Sequence, residues 1–395
     1  MTRFWVVPFL FFLSAAFAQH EHHAAPVGRL GVLGLDVYRD GGTLHLLTGR
    51  VDGEGATPSL WYQRSADAGE TWTPAVRIPA DPPPYRMERG DDPQVAADGE
   101  RILAAWTAAG TGWGGSGPLT TAMSSDGGRT WQRGGNPADD RNKEGHAFID
   151  LAVQGGAFHA VWLDERGKVY GLRYSRSTDG RLWSANETLQ RQSCECCWNT
   201  LLSAPDGRLF ALYRNGKPRD MALALRAADG RWSDVGAVGA FNWQIDACPH
   251  AGGGLALAGG RVHGVVWTGE EKNAGLYYMA SENGGRAWQA ARRIGGADAM
   301  HADIAASGAR IMLAWDEGEK VYAMSSNDAG GTWETPRQVS ARPATHPRVV
   351  STADGFLVLW TERSAAGRWE WRQVRSAQPR EGSFEDGKNG KENKK

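Results

Sequence analysis

The feature that most constrains the fold is a short turn motif that recurs along the chain. Five segments share the form Ser-x-Asp-x-Gly-x-Thr-Trp with small variations: "SADAGETW" (65–72), "SSDGGRTW" (124–131), "STDGRLW" (177–183), "SENGGRAW" (281–288) and "SNDAGGTW" (326–333). A shorter copy, "AADGRW", ends at Trp232. In such a segment the Asp side chain caps backbone N–H groups, Gly supplies a positive φ and Trp packs back as an anchor. The motif therefore predicts a hairpin turn whose carboxylate is structural.

A second repeated feature is an apolar strand that ends in an aromatic residue and precedes each turn. Six copies end at Trp106, Trp162, Tyr213, Trp267, Trp315 and Trp360, and "TLHLLTG" around His45 is a first member. The seven units recur every 45 to 60 residues or so, roughly the period of a propeller blade. Unit three reads as four antiparallel strands in succession. The sequence predicts an all-β propeller of four-stranded blades, with seven blades favoured and six, with one unit split at the ring closure, as the alternative.

The two ends of the chain differ in composition from the repeats. Residues 1–18 have a basic Arg3, a short apolar run and a small-residue site at Ala16–Ala18, which predicts a cleaved secretory signal peptide and a periplasmic or secreted protein. Residues 19–28 form a leader with His20, His22 and His23, which are candidates for metal capture. Residues 29–375 form the predicted propeller, and the polar residues 376–395 are predicted to be disordered.

The overall charge excludes one class of partner. The formal net charge is -1 at pH 7, so the chain lacks the basic excess that neutralises nucleic-acid phosphates. No membrane span is expected once the signal peptide is removed.

The repeated turns resemble the Asp-box, or BNR, repeats of sialidase-like β-propellers, and the match covers nearly the whole chain after the leader. Sialidases of that family use an arginine triad, a Tyr nucleophile paired with Glu, and an Asp acid/base. The "VRIP" segment of this chain places Arg77 after the first turn, in an outer strand, and no Tyr/Glu pair is identifiable. The sequence therefore leaves enzymatic activity open and does not favour a sialidase. A sialidase-like glycoside hydrolase remains one alternative.

Chain direction places the chemically reactive side chains at one end of the ring. If the turns lie at the bottom of a propeller, the junctions between successive units lie at the top, beside the central channel. All four cysteines fall in such junctions: Cys194, Cys196, Cys197 and Cys248. Four histidines also fall there: His146, His250, His301 and His346. By contrast His45, His159 and His263 lie inside strands and are expected to be core residues.

The junction residues predict a site for a soft metal ion. Thiolate and imidazole ligands together favour copper(I) or zinc over hard cations. Copper is the preferred cofactor because the chain is expected to be exported and carries a His-rich leader, and zinc is the alternative. A periplasmic metal-handling protein is the corresponding candidate partner.

The sequence supports two further interpretations. An exported chain with an even number of cysteines normally oxidises them, so a disulfide-stapled propeller that binds a glycan or a protein is an alternative function. The chain also resembles a narrower group of exported bacterial Asp-box proteins that share its C-x-C-C, "YRN...RD" and W-x-I-x-x-C-P-H motifs. Arg214 and Arg219 of the second motif are candidates for binding an anion or a substrate carboxylate.

Overall fold

The computed structural model describes residues 29–85, 87–141 and 145–377. The predicted signal peptide, the His-rich leader with His20, His22 and His23, and residues 378–395 of the predicted tail lie outside the described residues. Within the described ranges the chain forms strands and two short 3-10 helices, Trp113–Gly115 and Arg166–Lys168. No helix in this part of the chain is long and apolar enough to cross a bilayer.

The strands fall into seven consecutive antiparallel groups. Group one contains β1 (Gly31–Asp40), β2 (Thr43–Val51), β3 (Ser59–Ser65) and β4 (Val76–Ile78). Group two contains β5 (Gln94–Asp98), β6 (Arg101–Ala109), β7 (Ser116–Ser124) and β8 (Gln132–Arg133). Group three contains β9 (His146–Gln154), β10 (Ala157–Asp164), β11 (Gly171–Ser177) and β12 (Glu187–Gln190). Group four contains β13 (Thr200–Ser203), β14 (Leu209–Arg214), β15 (Met221–Arg226) and β16 (Trp232–Ala237).

The remaining groups follow the same plan, except that the last has three strands. Group five contains β17 (Gly253–Ala258), β18 (Arg261–Thr268), β19 (Gly275–Ser281) and β20 (Arg292–Ile294). Group six contains β21 (Met300–Ser307), β22 (Arg310–Glu317), β23 (Lys320–Ser326) and β24 (Arg337–Gln338). Group seven contains β25 (Ala344–Ser351), β26 (Gly355–Arg363) and β27 (Trp369–Ala377).

The groups are arranged as a closed ring. The first strands of successive groups contact one another in chain order, and β25 contacts β1. Hydrogen bonding among the described residues gives six sheets, because groups seven and one are joined into one seven-stranded sheet by a parallel pair, Gly31 with Trp369. A Cβ at Gly31 would lie 2.1 Å from the Trp369 carbonyl oxygen, so this closure requires glycine. The predicted all-β propeller class is confirmed.

The hydrophobic core lies between neighbouring groups rather than at the centre. Each pair of successive groups shares a cluster of buried apolar side chains, and a further cluster joins group seven to group one. In that closing cluster Leu35 and Leu46 pack against Leu357 and Leu359. Burying each such side chain stabilises the ring by about 1.5–3 kcal/mol.

The repeated turn has the structural role that the sequence predicts. In the second copy the Ser124 hydroxyl donates to Asp126 Oδ1 at 2.7 Å, and the Thr130 N–H and hydroxyl donate to Asp126 at 2.9 and 2.6 Å. Trp131 packs edge-on against Tyr62 of the preceding group, with ring centroids 5.2 Å apart. The equivalent bonds from Thr71 and Ser65 lower the pKa of Asp67 to about 2. These carboxylates are therefore committed to the turns.

The histidines inside strands are core residues, as predicted. In each of them, Nδ1 shares a hydrogen bond of 2.6 to 2.7 Å with a tyrosine hydroxyl on the next strand. The pairs are His45 with Tyr62, His159 with Tyr174 and His263 with Tyr278. Burial lowers the pKa of His45 and of His159 to about 4, which keeps both rings neutral.

Carboxylates on the innermost strands connect neighbouring groups. Asp36 accepts the Val95 N–H at 2.8 Å, Asp150 accepts the Leu201 N–H at 2.6 Å, and Asp303 accepts the Val349 N–H at 2.8 Å; each bond crosses from one group to the next. Burial raises the pKa of Asp36 to about 6 and that of Asp150 to about 7.

Replacing Asp150 by Asn should change how stability depends on pH. Because the pKa of Asp150 is about 7 in the folded chain against 3.8 unfolded, the folded state holds an extra proton between these values. The wild type should then lose unfolding free energy as the pH rises from about 4 to 7, by up to about 1.4 kcal/mol per pH unit from this group. Asp150→Asn should lack this component in denaturant titrations across that range. The exposed Asp206→Asn serves as the control, and equal slopes for Asp150→Asn and the wild type would contradict the assignment.

Candidate metal centre

The loop between β12 and β13 carries the three clustered cysteines into the interior. It is held against the end of β14, where the Cys194 N–H donates to the Arg214 carbonyl at 2.9 Å and Ser193 pairs with Asn215. Cys194, Cys196 and Cys197 are 0 to 1% exposed and belong to the apolar cluster between groups three and four. The loop thus buries three sulfur atoms in one place.

The three thiols lie within ligand distance of one another. Cys194 Sγ is 3.6 Å from Cys196 Sγ and 3.5 Å from Cys197 Sγ, and all three sulfurs lie within 4.8 Å. These separations exceed a disulfide bond of about 2.05 Å, and none of the four cysteines forms a disulfide. Cys248 is half-buried beside the group: its thiol donates to Glu195 Oε1 at 3.4 Å and also interacts with Cys196.

The charges around the sulfurs favour a thiolate at Cys194. Hydrogen bonds with the thiols of Cys196 and Cys197, and then the Arg219 guanidinium, hold the pKa of Cys194 well below its usual value. Arg219 Nη1 lies 2.9 Å from Cys194 Sγ and 3.0 Å from Glu195 Oε2. Burial raises the pKa of Cys196 and of Cys197, so both remain thiols until a cation replaces their protons.

Arg214 is buried close to the thiols. Its side chain is 1% exposed and donates only to backbone carbonyls: Ala251 at 2.8 and 3.1 Å, Arg219 at 2.6 Å and Trp267 at 2.8 Å. Within the described residues it forms no ion pair with a carboxylate. Its positive charge lowers the pKa of Cys197, although burial dominates there. The two arginines predicted to hold a ligand anion are therefore both buried: Arg219 contacts Cys194, and Arg214 donates to backbone carbonyls.

His301 and His346 form a second cluster, with Asp316. The two imidazoles are stacked at a centroid distance of 3.8 Å, with an angle of 14° between their planes. His301 Nδ1 lies 2.9 Å from both Asp316 oxygens, and the His346 N–H donates to Asp316 Oδ2 at 2.8 Å. The Trp198 ring lies against both, at 5.8 and 5.9 Å. Burial, and then His301, keep the pKa of His346 well below its usual value, so its ring is neutral.

Backbone bulges direct these two histidines. The pairing of β21 with β22 shifts register at His301, and that of β25 with β26 shifts at His346. His301 has φ 46° and His346 has φ 48°, a left-handed conformation that costs a non-glycine residue on the order of 1–3 kcal/mol. Bulges of this kind re-aim side chains next to functional sites. The equivalent position of group three, at a bulge in β9, is Phe148 with φ 54°.

The other two predicted imidazoles lie elsewhere. His146 is fully buried, with Nδ1 3.1 Å from the Gly117 carbonyl and Nε2 3.2 Å from Asp140 and 3.5 Å from Asp164. His250 has φ 49° and lies two residues after Cys248, ahead of β17. Within the described residues the potential ligands therefore gather in three places, around Cys194, His301 and His146, where the sequence predicts one mixed site.

The central channel contains a cavity that is distinct from these three clusters of potential ligands. A cavity of about 520 Å³ runs along the innermost strands and is lined by Asp36, Asp150, Asp303, Arg348 and Trp198, among others. Although burial disfavours its charge, the carboxylates of Asp92, Asp303 and Asp36 hold the pKa of Arg348 above its usual value. Asp36, Asp150 and Asp303 of this cavity accept the backbone hydrogen bonds between groups.

Comparisons with known proteins identify the fold. No protein-family model matches the chain, and no curated protein matches it. Solved structures do match. An ulvan lyase bound to a GlcA(1-4)Rha3S ligand is 11% identical with TM-score 0.57, and the match covers 89% of this chain and 95% of that one. Polysaccharide lyase Uly1 is 12% identical with TM-score 0.55, covering 89% and 90%. The α-L-arabinofuranosidase Arb93A from Fusarium graminearum is 13% identical with TM-score 0.50, covering 88% and 93%. At this identity the likeness concerns the fold alone, a β-propeller.

Proposed function

We propose that the protein binds one soft metal ion, copper(I), through Cys194, Cys196 and Cys197. The observation that carries this proposal is the presence of three buried sulfurs within 4.8 Å of one another, without a disulfide. Soft thiolate ligands select soft ions such as copper(I). As an exported copper-binding protein, it would exchange the ion with a periplasmic metal-handling partner and use the leader histidines for capture.

The buried arginines support a site designed for anionic sulfur. A buried cation is costly unless an opposite charge compensates it. Arg214 has no carboxylate partner within the described residues, and it lies close enough to Cys197 to lower the pKa of that thiol. Arg219 binds Cys194 directly. Three thiolates formed on metal binding would supply the missing negative charge.

Zinc is the second choice of metal. Zn²⁺ in structural sites is almost always four-coordinate, so it would need Cys248 as a fourth ligand. Cys248 is only half-buried, and its thiol donates a hydrogen bond to Glu195 Oε1 at 3.4 Å. A three-sulfur site without that rearrangement favours copper(I).

The metal proposal predicts a defined stoichiometry. Under anaerobic, reducing conditions the purified chain should take one copper(I) per molecule in competition with a chromophoric copper(I) chelator. Bound copper should protect three thiols from alkylation and leave Cys248 reactive. A protein that binds no copper(I) and has no alkylatable thiols would support the disulfide-stapled alternative instead.

A carbohydrate function is the second candidate. The fold likeness to the ulvan lyase and to polysaccharide lyase Uly1 favours it, and the channel cavity of about 520 Å³ falls in the usual range for ligand pockets. A sugar acid would meet Arg348 there. Incubation with uronate polysaccharides separates the carbohydrate candidate from the copper(I) proposal. Shortened products, or polysaccharide binding that Arg348→Met abolishes, would favour the carbohydrate candidate. Copper(I) binding without cleavage or polysaccharide binding would support the copper(I) proposal.

A further inference from the structure

We propose that His301, Asp316 and His346 form a second metal site, which takes a borderline divalent cation such as Zn²⁺ or Cu²⁺ independently of the thiols. The inference does not depend on the proposed copper(I) site, because it uses none of the cysteines. It adds Asp316 to two histidines that the sequence alone places in a site shared with sulfur.

The distances between the potential ligand atoms suit one small cation. Metal–nitrogen and metal–oxygen bonds of about 2.0–2.2 Å in tetrahedral geometry separate ligand atoms by about 3.4 Å. His301 Nδ1 lies 2.9 Å from Asp316 Oδ2, and His346 Nδ1 lies 3.9 Å from the same oxygen. All three ligand atoms lie within 4.8 Å of one another. Binding would also require the stacked imidazoles, 3.8 Å apart and nearly parallel, to rotate so that both point at the ion, and the Thr345 hydroxyl to release His346 Nδ1, from which it lies 2.7 Å.

The backbone indicates that the two imidazoles are brought together at a cost. Each histidine occupies a bulge with a left-handed φ, of 46° and 48°. Phe148 has the same conformation in group three, so the bulge itself does not require histidine. The choice of histidine at two neighbouring bulges, beside a carboxylate on β22, is what a nitrogen and oxygen ligand set needs.

The surroundings of the cluster leave room for a cation and hold its ligands in place. Side-chain exposures of 20% for His301 and 16% for His346 leave an opening for an ion and a water molecule, while Asp316 is 9% exposed. The Thr345 hydroxyl donates to Asp316 at 2.6 Å, an outer-shell bond of the kind that orients metal ligands. Arg89, which donates to the His346 carbonyl, is itself paired with Asp92 at 2.8 Å, so its charge is compensated.

Imidazole and carboxylate ligands define the class of ion. Two nitrogens and one oxygen suit Zn²⁺, Cu²⁺ or Co²⁺, whereas copper(I) prefers the thiols. The two sites are neighbours, since Trp198 follows Cys197 in the chain and its ring contacts both histidines.

Titration of the full chain with Co²⁺, followed by absorption, tests this site apart from the thiol site. In Cys194→Ser, with the thiol cluster broken, we expect one equivalent to bind with visible d–d bands and without the intense near-ultraviolet band of thiolate ligation. In the same background His301→Gln and Asp316→Asn should each weaken Co²⁺ binding at least tenfold, and Zn²⁺ calorimetry should follow. His250→Gln is the matched control, with no change expected.

Two results would overturn the inference. One is that Cys194→Ser binds no Co²⁺; the other is that His301→Gln and Asp316→Asn, checked for folding by circular dichroism, bind it as well as their parent. If Asp316→Asn does not fold, His301→Gln decides alone. In the wild type, d–d bands without the thiolate band would count against the copper(I) proposal and leave this second site intact. In Cys194→Ser the same spectrum is the expected result.

Discussion

Affinity for copper(I) should fall by more than about a hundredfold when Cys194 or Cys197 is replaced by serine. Losing a hydrogen-bond partner of a ligand already costs about 10–100-fold in metal affinity, so losing one of three ligands should cost more. Serine keeps the size of the side chain and removes only the soft donor. Cys194 is the sulfur that both other thiols and Arg219 contact, so its loss also removes the anion around which the cluster is arranged. Chelator competition provides the measurement.

Cys248→Ser is the matched control for this series. Cys248 lies in the junction before β17, but its sulfur is outside the set of three cysteine sulfurs that lie within 4.8 Å of one another. We expect its copper(I) affinity to change by less than about tenfold, the lower end of an outer-shell effect. Equal losses for Cys194→Ser and Cys248→Ser would contradict a three-sulfur site and indicate a four-cysteine site of the zinc type.

The unfolding free energy should fall by roughly 3–6 kcal/mol when Arg214 is replaced by methionine. Methionine preserves the apolar stem but leaves three buried carbonyls, those of Ala251, Arg219 and Trp267, without their donor. An unsatisfied buried polar group costs about 1–3 kcal/mol. These bonds also connect group four to the segments around β17 and β18, so the loss should loosen that junction. Denaturant unfolding of metal-free protein measures the effect.

A lysine at position 214 and a methionine at an exposed arginine separate the causes. Arg214→Lys keeps the charge, but an ammonium group cannot present the planar set of donors that reaches three carbonyls, so about half of the loss should remain. Arg231→Met should be neutral within about 0.5 kcal/mol, because its side chain is 87% exposed. A loss below 1 kcal/mol for Arg214→Met would mean that water or a shifted backbone satisfies the carbonyls.

The repeated elements of the fold could be predicted from the sequence because their signals are local. The turn motif fixes Asp126, Gly128 and Trp131 within eight residues, and the structure makes the bonds that those residue types require. The same holds for the strand histidines, since the apolar run around His159 already places it inside a sheet. A local pattern repeated many times predicts one local structure.

The arrangement of the site could be predicted only in part. Chain direction brings cysteines and histidines to one end of the ring, but it does not say which junctions lie side by side or how far each side chain reaches. The bulges at His301 and His346 arise from register shifts that no single-residue pattern announces. Asp316 does have a sequence signal, because it directly follows the aromatic residue that ends a repeated strand, next to the junction.

Arg214 shows the limit of assigning a role from residue type. Its residue type makes Arg214 a candidate for binding an anion or a substrate carboxylate. Its position as the last residue of β14, covered by Trp243 at 5.4 Å, makes it a buried donor to the backbone. Trp243 lies in the loop between β16 and β17, so the residues around position 214 do not reveal that covering.

X-ray absorption at the copper edge of copper(I)-loaded protein tests the central claim most directly. The proposed site predicts a first shell of three sulfur atoms with no nitrogen, unchanged in His301→Gln and reduced to two sulfurs in Cys197→Ser. A first shell dominated by nitrogen or oxygen, or a spectrum that Cys197→Ser leaves unaltered, would contradict it.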